Sequence, residues 1–261
     1  MENKVMSEIK VDKKQFNGVV YSQFSDVPVE SIASIFVTDS AIEGILSKCK
    51  WYTERVTQEE VTAKLALLIN LLTKSERINV LDYGGGLGQL LISLEKHLLS
   101  KNRVIWEVFD TEEMIGIAKE RIKGENNLFF HKNIQEVKKA DILFFRQSLQ
   151  VLENPVRILT DLAHLFHPKI IFMSGVPAGK NEDYVSLVLS AQENKGHPCW
   201  IFNEERLLSS VNRLGYSLID KFSENITINL SNFPDKFQMD DERKNHARGY
   251  IFLREGAEVG L

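Results

Sequence analysis

From Ile78 onward, short apolar runs alternate with segments whose apolar residues recur every three or four positions. The runs are "INVLD" (78–82), "VIWEVF" (104–109), "LFFH" (128–131), "DILFF" (141–145) and "KIIFMS" (169–174). Near-continuous apolar strands belong to sheets covered on both faces. Between them the helical period predicts helices at 87–99, 111–123, 134–139 and 155–166, the second ending at Gly124. A further helix precedes the first strand: Thr57 and Glu60 have capping-box spacing, and Val61, Leu65, Leu68, Ile69 and Leu72 form one stripe. Strands alternating with helices in this way predict an α/β fold, a doubly wound parallel sheet with helices on both faces.

The flanks read differently. Residues 1 to 18 are polar and unpatterned, as in a loose tail. The short apolar groups between "VVYSQFSDVP" and "SKCKWYTERV" suggest small helices, so residues 1–56 are expected to be a tail and helical cap, and 57–261 the domain that carries the sheet. After "GVPAG" the pattern suggests a helix at 182–193, a loop "NKGHPCWIF", a helix beginning "NEERLLSSVNRLG" and a strand "YSLIDKF". "NITINL" and "RGYIFLR" read as two further strands, and no internal repeat is visible.

Composition narrows the functional classes. The chain has 261 residues, 43% hydrophobic and 26% charged, enough for a sizeable core. Its net charge is −4 with Lys and Arg scattered, so the basic footprint of a nucleic-acid binder is missing. Cys49 and Cys199 lack CxxC spacing, which speaks against a thiolate zinc site and fits burial in a reducing compartment. The start has no signal-like apolar region, and no run approaches the ~18 apolar residues of a membrane span, so a cytoplasmic protein is expected.

Four glycines fall within five residues in "VLDYGGGLG", between a strand and a helix. A dinucleotide loop, G-x-G-x-x-G, would need a third glycine where Gln89 stands. The spacing present is D-x-G-x-G-x-G, at Asp82, Gly84, Gly86 and Gly88, with Gly85 inside it. It resembles the first motif of the S-adenosylmethionine (SAM)-dependent methyltransferases. The chemistry suits that cofactor: glycines admit the methionyl part, the helix N-terminus favours its carboxylate, and Asp82 attracts the ammonium directly or through water. The bare alternative is a tight turn with no ligand.

A second acid is then wanted at the end of the next strand for the ribose diol. Asp110 stands 22 residues after Gly88, where it could equally cap the helix beginning "TEEM". After the third strand, Asn133 and Ile134 stand where adenine is recognised, although Asn133 could simply turn the loop. Arg146, Gln147 and Ser148 emerge beyond the fourth strand, beside the expected sulfonium.

The resemblance extends along residues 18 to 225 through "YSQFSDVP", "WYTERV", "WEVFDTEEM", "ADILFFRQSLQVLENP" and "HPCWIFNEERLLSSVNRLGYSLIDKF". It is to a class I methyltransferase family encoded among bacterial surface-polysaccharide (O-antigen or capsule) genes. That resemblance implies a Rossmann-like, mostly parallel seven-stranded sheet and O-methylation of a saccharide or nucleotide-sugar. Other possibilities are a small-molecule or lipid methyltransferase, or a non-catalytic partner in a glycan-assembly complex; a homo-oligomer is also possible. Carried over, it marks Tyr52, Glu54 and Arg55 near the cofactor, Gln147 to Gln150 with Glu153 and Pro155 after the fourth strand, and His197, Pro198 and Trp200 in a loop closing over the acceptor. Asp110 stands for a usual Glu and Val151 for a common aromatic. His197 is the candidate catalytic base, because imidazole titrates near neutrality, and Trp200 could stack on a sugar. No metal is expected: the one tight acidic cluster, Asp240 to Glu242, reads as a solvated charge run.

Overall fold

A computed structural model describes residues 13–28, 36–54, 59–73, 77–189, 196–229, 233–234 and 246–257. The chain forms β1 (Lys13–Phe16), α1 (Asp39–Glu54), α2 (Glu60–Leu72), β2 (Ile78–Tyr83), α3 (Gln89–Leu94), β3 (Val104–Phe109), α4 (Glu112–Arg121), β4 (Leu128–His131) and β5 (Ile142–Arg146). It continues through α5 (Pro155–Phe166), β6 (Ile170–Val176), β7 (Ala178–Gly179), β8 (Tyr184–Leu189), β9 (Gly196–Asn203), α6 (Glu204–Asn212), β10 (Tyr216–Asn229) and β11 (His246–Arg254).

The strands lie in the order β4-β3-β2-β5-β6-β11-β10-β1-β8-β9-β7. The first seven make the expected sheet: β2 to β6 are parallel neighbours, and β11 runs antiparallel between β6 and β10. Strand order reverses at β2, so the carboxyl ends of β2 and β5 flank a topological switch point, where open α/β sheets bind ligands. One face packs Val80, Trp106, Phe144, Phe172 and Phe222 against α2 and α3. The other packs Leu81, Leu143, Phe145 and Met173 against α5 and α6. Phe222 crosses β11 at Gly249, where any Cβ would fall 2.1 Å from its ring.

Helix α1 lies over the glycine-loop side, with Ile42 against Leu87, Met114 and Ala118, and Cys49 and Tyr52 against Ile92. Both cysteines are buried, and burial pushes the Cys49 thiol up to about 11.

Several expectations need correction. The helix expected at 182–193 is strand β8, paired antiparallel from Tyr184↔Ile201 to Leu189↔Gly196 with β9, which replaces the expected loop. A short run as apolar as "YVSLVL" suits a strand as well as a helix, and pairing decides. "YSLIDKF" and "NITINL" are one strand, β10, irregular between Ser223 and Thr227. Residues 13–16 are strand rather than tail: β1 pairs with β10 and β8, and Phe16 is buried. A division at residue 56 therefore cuts through one sheet. The helix at 87–99 contracts to α3 and a 3-10 turn, and that at 134–139 to the turn Ile134–Glu136. Thr57 lies outside the described residues; α2 starts after Glu59 without a side-chain cap.

Candidate active site

The glycine loop lies flush on its neighbours. Gly84 turns at φ +74, donates to the Phe109 carbonyl at 2.8 Å, and leaves no room for a Cβ, which would fall 2.5 Å from that of Ser148. The Ser148 hydroxyl in turn donates to the Tyr83 carbonyl at 2.5 Å. At Gly85 the obstacle is the carboxyl of Asp82, 2.6 Å from any added Cβ. Gly86 N donates to Asp110 Oδ2 at 2.9 Å, and Thr111 N to Oδ1 at 2.7 Å, so the acid is locked to the loop. The cap of α4 is Thr111, which accepts from Met114 N, and not Asp110. Gly88 caps α3, and Gln89 Oε1, beside Gly86, is buried without a hydrogen-bond partner.

Beneath the loop, Asp82 is 2% exposed and accepts from Trp106 Nε1 at 3.2 Å. Burial pushes its carboxyl up to about 7, against the Trp106 hydrogen bond and the Arg146 charge; Asp110 adds to the rise. Asp110 is also raised, chiefly by burial.

At the carboxyl end of β5, Arg146 stands in register with Ser174 of β6. Its Nη2 donates to Glu59 Oε2 at 2.7 Å, and the Tyr52 hydroxyl donates to Glu59 Oε1 at 3.1 Å. Burial and the Glu59 carboxylate push the Tyr52 phenol up to about 12. Gln147, just past the end of β5, sits at φ 55 beside Gly175 of β6 at φ 70, two neighbouring residues in the left-handed region. Such backbone persists where surroundings over-determine it, often at functional sites. Gly175 N donates to Glu224 Oε1, while Gln150 Nε2 donates to the Gly175 carbonyl at 3.1 Å. Burial raises the Glu224 carboxyl, opposed by Gly175 N–H, the Ser174 hydroxyl and Arg146.

The fold thus gathers Asp82, the four glycines, Asp110, Arg146, Gln147, Ser148 and Tyr52 at one sheet edge. Asn133 and Ile134 follow β4, beside Asp110, whose N–H bonds His131 O at 3.3 Å. Asn133 Oδ1 accepts from Gln135 N at 3.0 Å, so it does turn its own loop. Arg55, the Glu54 side chain and the acidic run 240–242 lie outside the described residues. Within those residues no group of three or more His, Cys, Asp or Glu is placed to hold a metal ion. No helix among them is long and apolar enough to cross a membrane.

His197 needs correcting. It sits in β9, opposite Val188, and alternation along the strand separates it from Trp200. Trp200 Nε1 bonds the Leu152 carbonyl at 3.0 Å, in the segment after β5. His197 shares the other side with Cys199 and Ile201, its Nδ1 3.2 Å from the Pro198 carbonyl and its ring 5.1 Å from Phe36. His197 is thus a buried residue of a paired strand, where a closing loop was expected. The Trp200 ring lies near-parallel to those of Phe24 and Phe202, with centroids 6.5 and 6.4 Å away.

Two acids escaped the sequence reading. Glu59 looks like an ordinary first-turn residue, and nothing local marks its ion pair. Glu224 did carry a signal: it lies two residues beyond buried Phe222 and so shares its face.

A family model described as a methyltransferase domain matches residues 57–221. No curated protein matches the chain. A SAM-dependent methyltransferase from Clostridium acetobutylicum ATCC 824 has a similar structure, with a TM-score of 0.50 and 11% identity over 86% of this chain and 98% of that one. Human N-acetylserotonin methyltransferase, solved with SAM, gives 0.51 and 13% over 91% of this chain and 63% of that one. At these identities the two structures share the fold. The family match covers more than half of the chain and includes the glycine loop and both acids seated around it: the chain belongs to the methyltransferase-domain family, a class I methyltransferase that uses S-adenosylmethionine.

Proposed function

We propose that the protein methylates a hydroxyl group of a saccharide or nucleotide-sugar, in the cytoplasmic stage of bacterial surface-glycan synthesis. The observation that carries this reading is the polar wall beside the switch point. The wall is formed by Gln150 and Glu224, buried side chains that meet at Gly175 beside β5, one bonding its carbonyl and the other its N–H, and Gln150 Oε1 is left without a partner. A buried polar atom left unpaired costs about 1–3 kcal/mol, so a hydroxyl-rich acceptor suits this wall better than an aromatic or lipid one. The segments shared with the polysaccharide-associated family support the same choice.

The residues fit the cofactor: Gln89 Oε1 lacks a partner beside Gly86, and the loop has no room for side chains at Gly84 and Gly85. Bound SAM supplies a methyl group already activated on a positive sulfur. The protein's part is to hold the acceptor oxygen in line and to exclude water, a proximity effect. Gln150 and Glu224 offer oxygens that accept from acceptor hydroxyls. The Glu224 carboxylate would take the proton that the reacting hydroxyl loses as the methyl group leaves the sulfur, which departs as S-adenosylhomocysteine.

The test incubates the protein with SAM and, separately, UDP-glucose, GDP-mannose, a phenol and a fatty acid. S-adenosylhomocysteine release and product mass are then followed. A nucleotide-sugar heavier by one methylene is expected. Transfer to the phenol or fatty acid instead would refute the saccharide reading.

A further inference from the structure

The glycine loop accounts for the nucleoside end of the cofactor better than for its amino-acid head. Asp82, expected to meet the ammonium, is closed under Gly85, bonded to Trp106 and raised to about 7, so at neutral pH it is only partly charged. Helix α3, expected to favour the carboxylate, is six residues long. Both charges of the head need other partners.

A complementary pair stands within electrostatic reach of Asp82. Arg146 and Glu59 are joined at 2.7 Å, and each is part exposed, with 23% and 41% of their side-chain surfaces open to water. Among the described residues the guanidinium donates one hydrogen bond, from Nη2, and a planar five-donor fork has capacity for a second carboxylate. A carboxylate accepts several donors at once, so Glu59 can take an ammonium while keeping Tyr52 and Arg146. The pair is itself a cation and an anion side by side, the mirror of an α-amino-acid zwitterion. We propose that the Arg146–Glu59 ion pair, steadied by the Tyr52 hydroxyl, receives the amino-acid head of S-adenosylmethionine, the guanidinium taking the carboxylate and Glu59 the ammonium.

The arrangement explains a feature of the fold. Tyr52 comes from α1, Glu59 from the start of α2 and Arg146 from the end of β5, so the N-terminal helices are tied to the switch point by one carboxylate. The inference rests on use of SAM and is independent of the acceptor.

Calorimetry with two probes tests it: S-adenosylhomocysteine, which has the head, and 5′-deoxy-5′-methylthioadenosine, which keeps the nucleoside and sulfur but lacks the head. Glu59→Gln and Arg146→Gln should each weaken S-adenosylhomocysteine about tenfold or more, about 1.4 kcal/mol, and leave methylthioadenosine within about threefold. Tyr52→Phe, a gentler change, should lose less with the same selectivity, and Asp110→Ala should weaken both probes. Unchanged binding of S-adenosylhomocysteine by Glu59→Gln overturns the proposal. Tighter binding overturns it too, since Glu59 would then be a competitor for the guanidinium. Equal losses for both probes would reduce the pair to a structural role. A parent protein that binds neither probe would remove the cofactor assignment itself.

Discussion

Replacing Asp82 by Asn should change how stability depends on pH. The carboxyl is buried and titrates near 7, against 3.8 for the ordinary group. Between those values the folded protein holds a proton that the unfolded chain has lost, so stability falls as pH rises through the window. Each pH unit is worth about 1.4 kcal/mol, so the full fall is roughly 4 kcal/mol, and about 3 of it lies between pH 5 and 8. Asn at this position keeps an oxygen for Trp106 Nε1 and has no proton to lose. Urea unfolding of parent and Asp82→Asn at pH 5, 6, 7 and 8 isolates the effect, because every other titrating group, Glu224 included, is present in both. The variant should gain on the parent by about 3 kcal/mol across that range. Parallel curves would show that Asp82 is already ionised in the folded state, and the argument from burial would fall.

Gly85→Ala puts a Cβ 2.6 Å from the Asp82 carboxyl; overpacking of this kind costs about 1–3 kcal/mol, and calorimetry should show S-adenosylhomocysteine bound at least about tenfold more weakly. Asp110→Ala orphans Gly86 N–H and should weaken the same ligand by about 1.4 kcal/mol, whereas Thr111→Ala, which uncaps α4, should lose about 1 kcal/mol of folding stability and leave binding intact. Gly249→Ala drives a Cβ to 2.1 Å from the Phe222 ring and should destabilise by about 1–3 kcal/mol, with Phe222→Leu recovering part of the loss in a double-mutant cycle followed by urea unfolding.

The five parallel strands were readable because their apolar runs are near-continuous and bounded by turn residues: β2, β5 and β6 are buried almost throughout, while β3 alternates and the edge strand β4 leaves Phe129 exposed. The peripheral ones were not. Tyr184 to Leu189 is apolar in a pattern that fits either period, and only pairing with β9 identifies it as a strand. β10 looked like two strands because Ser223, Glu224 and Asn225 interrupt its apolar residues; Glu224 is tolerated there because it reaches Gly175 N on β6. In the site, Asp82, the glycines and Asp110 were legible because their spacing is local chemistry on two adjacent strands. Glu59 was not, since its partner Arg146 lies 87 positions away. His197 misled because a Gly-His-Pro sequence looks like loop, while register with β8 buries the ring.

Strand β1 joins the seven-stranded sheet to the β8-β9-β7 ribbon: its Lys13 faces Thr227 on one side and its Phe16 faces Val188 on the other. Among the described strands it is the first to leave the ribosome, yet its parallel partner is made more than two hundred residues later. During synthesis it must wait as an unpaired edge segment, a state prone to wrong pairing. Long-range pairing of this kind is slow. The ribbon that carries His197 and Trp200 therefore docks late, after the parallel strands β2 to β6 have had time to pair.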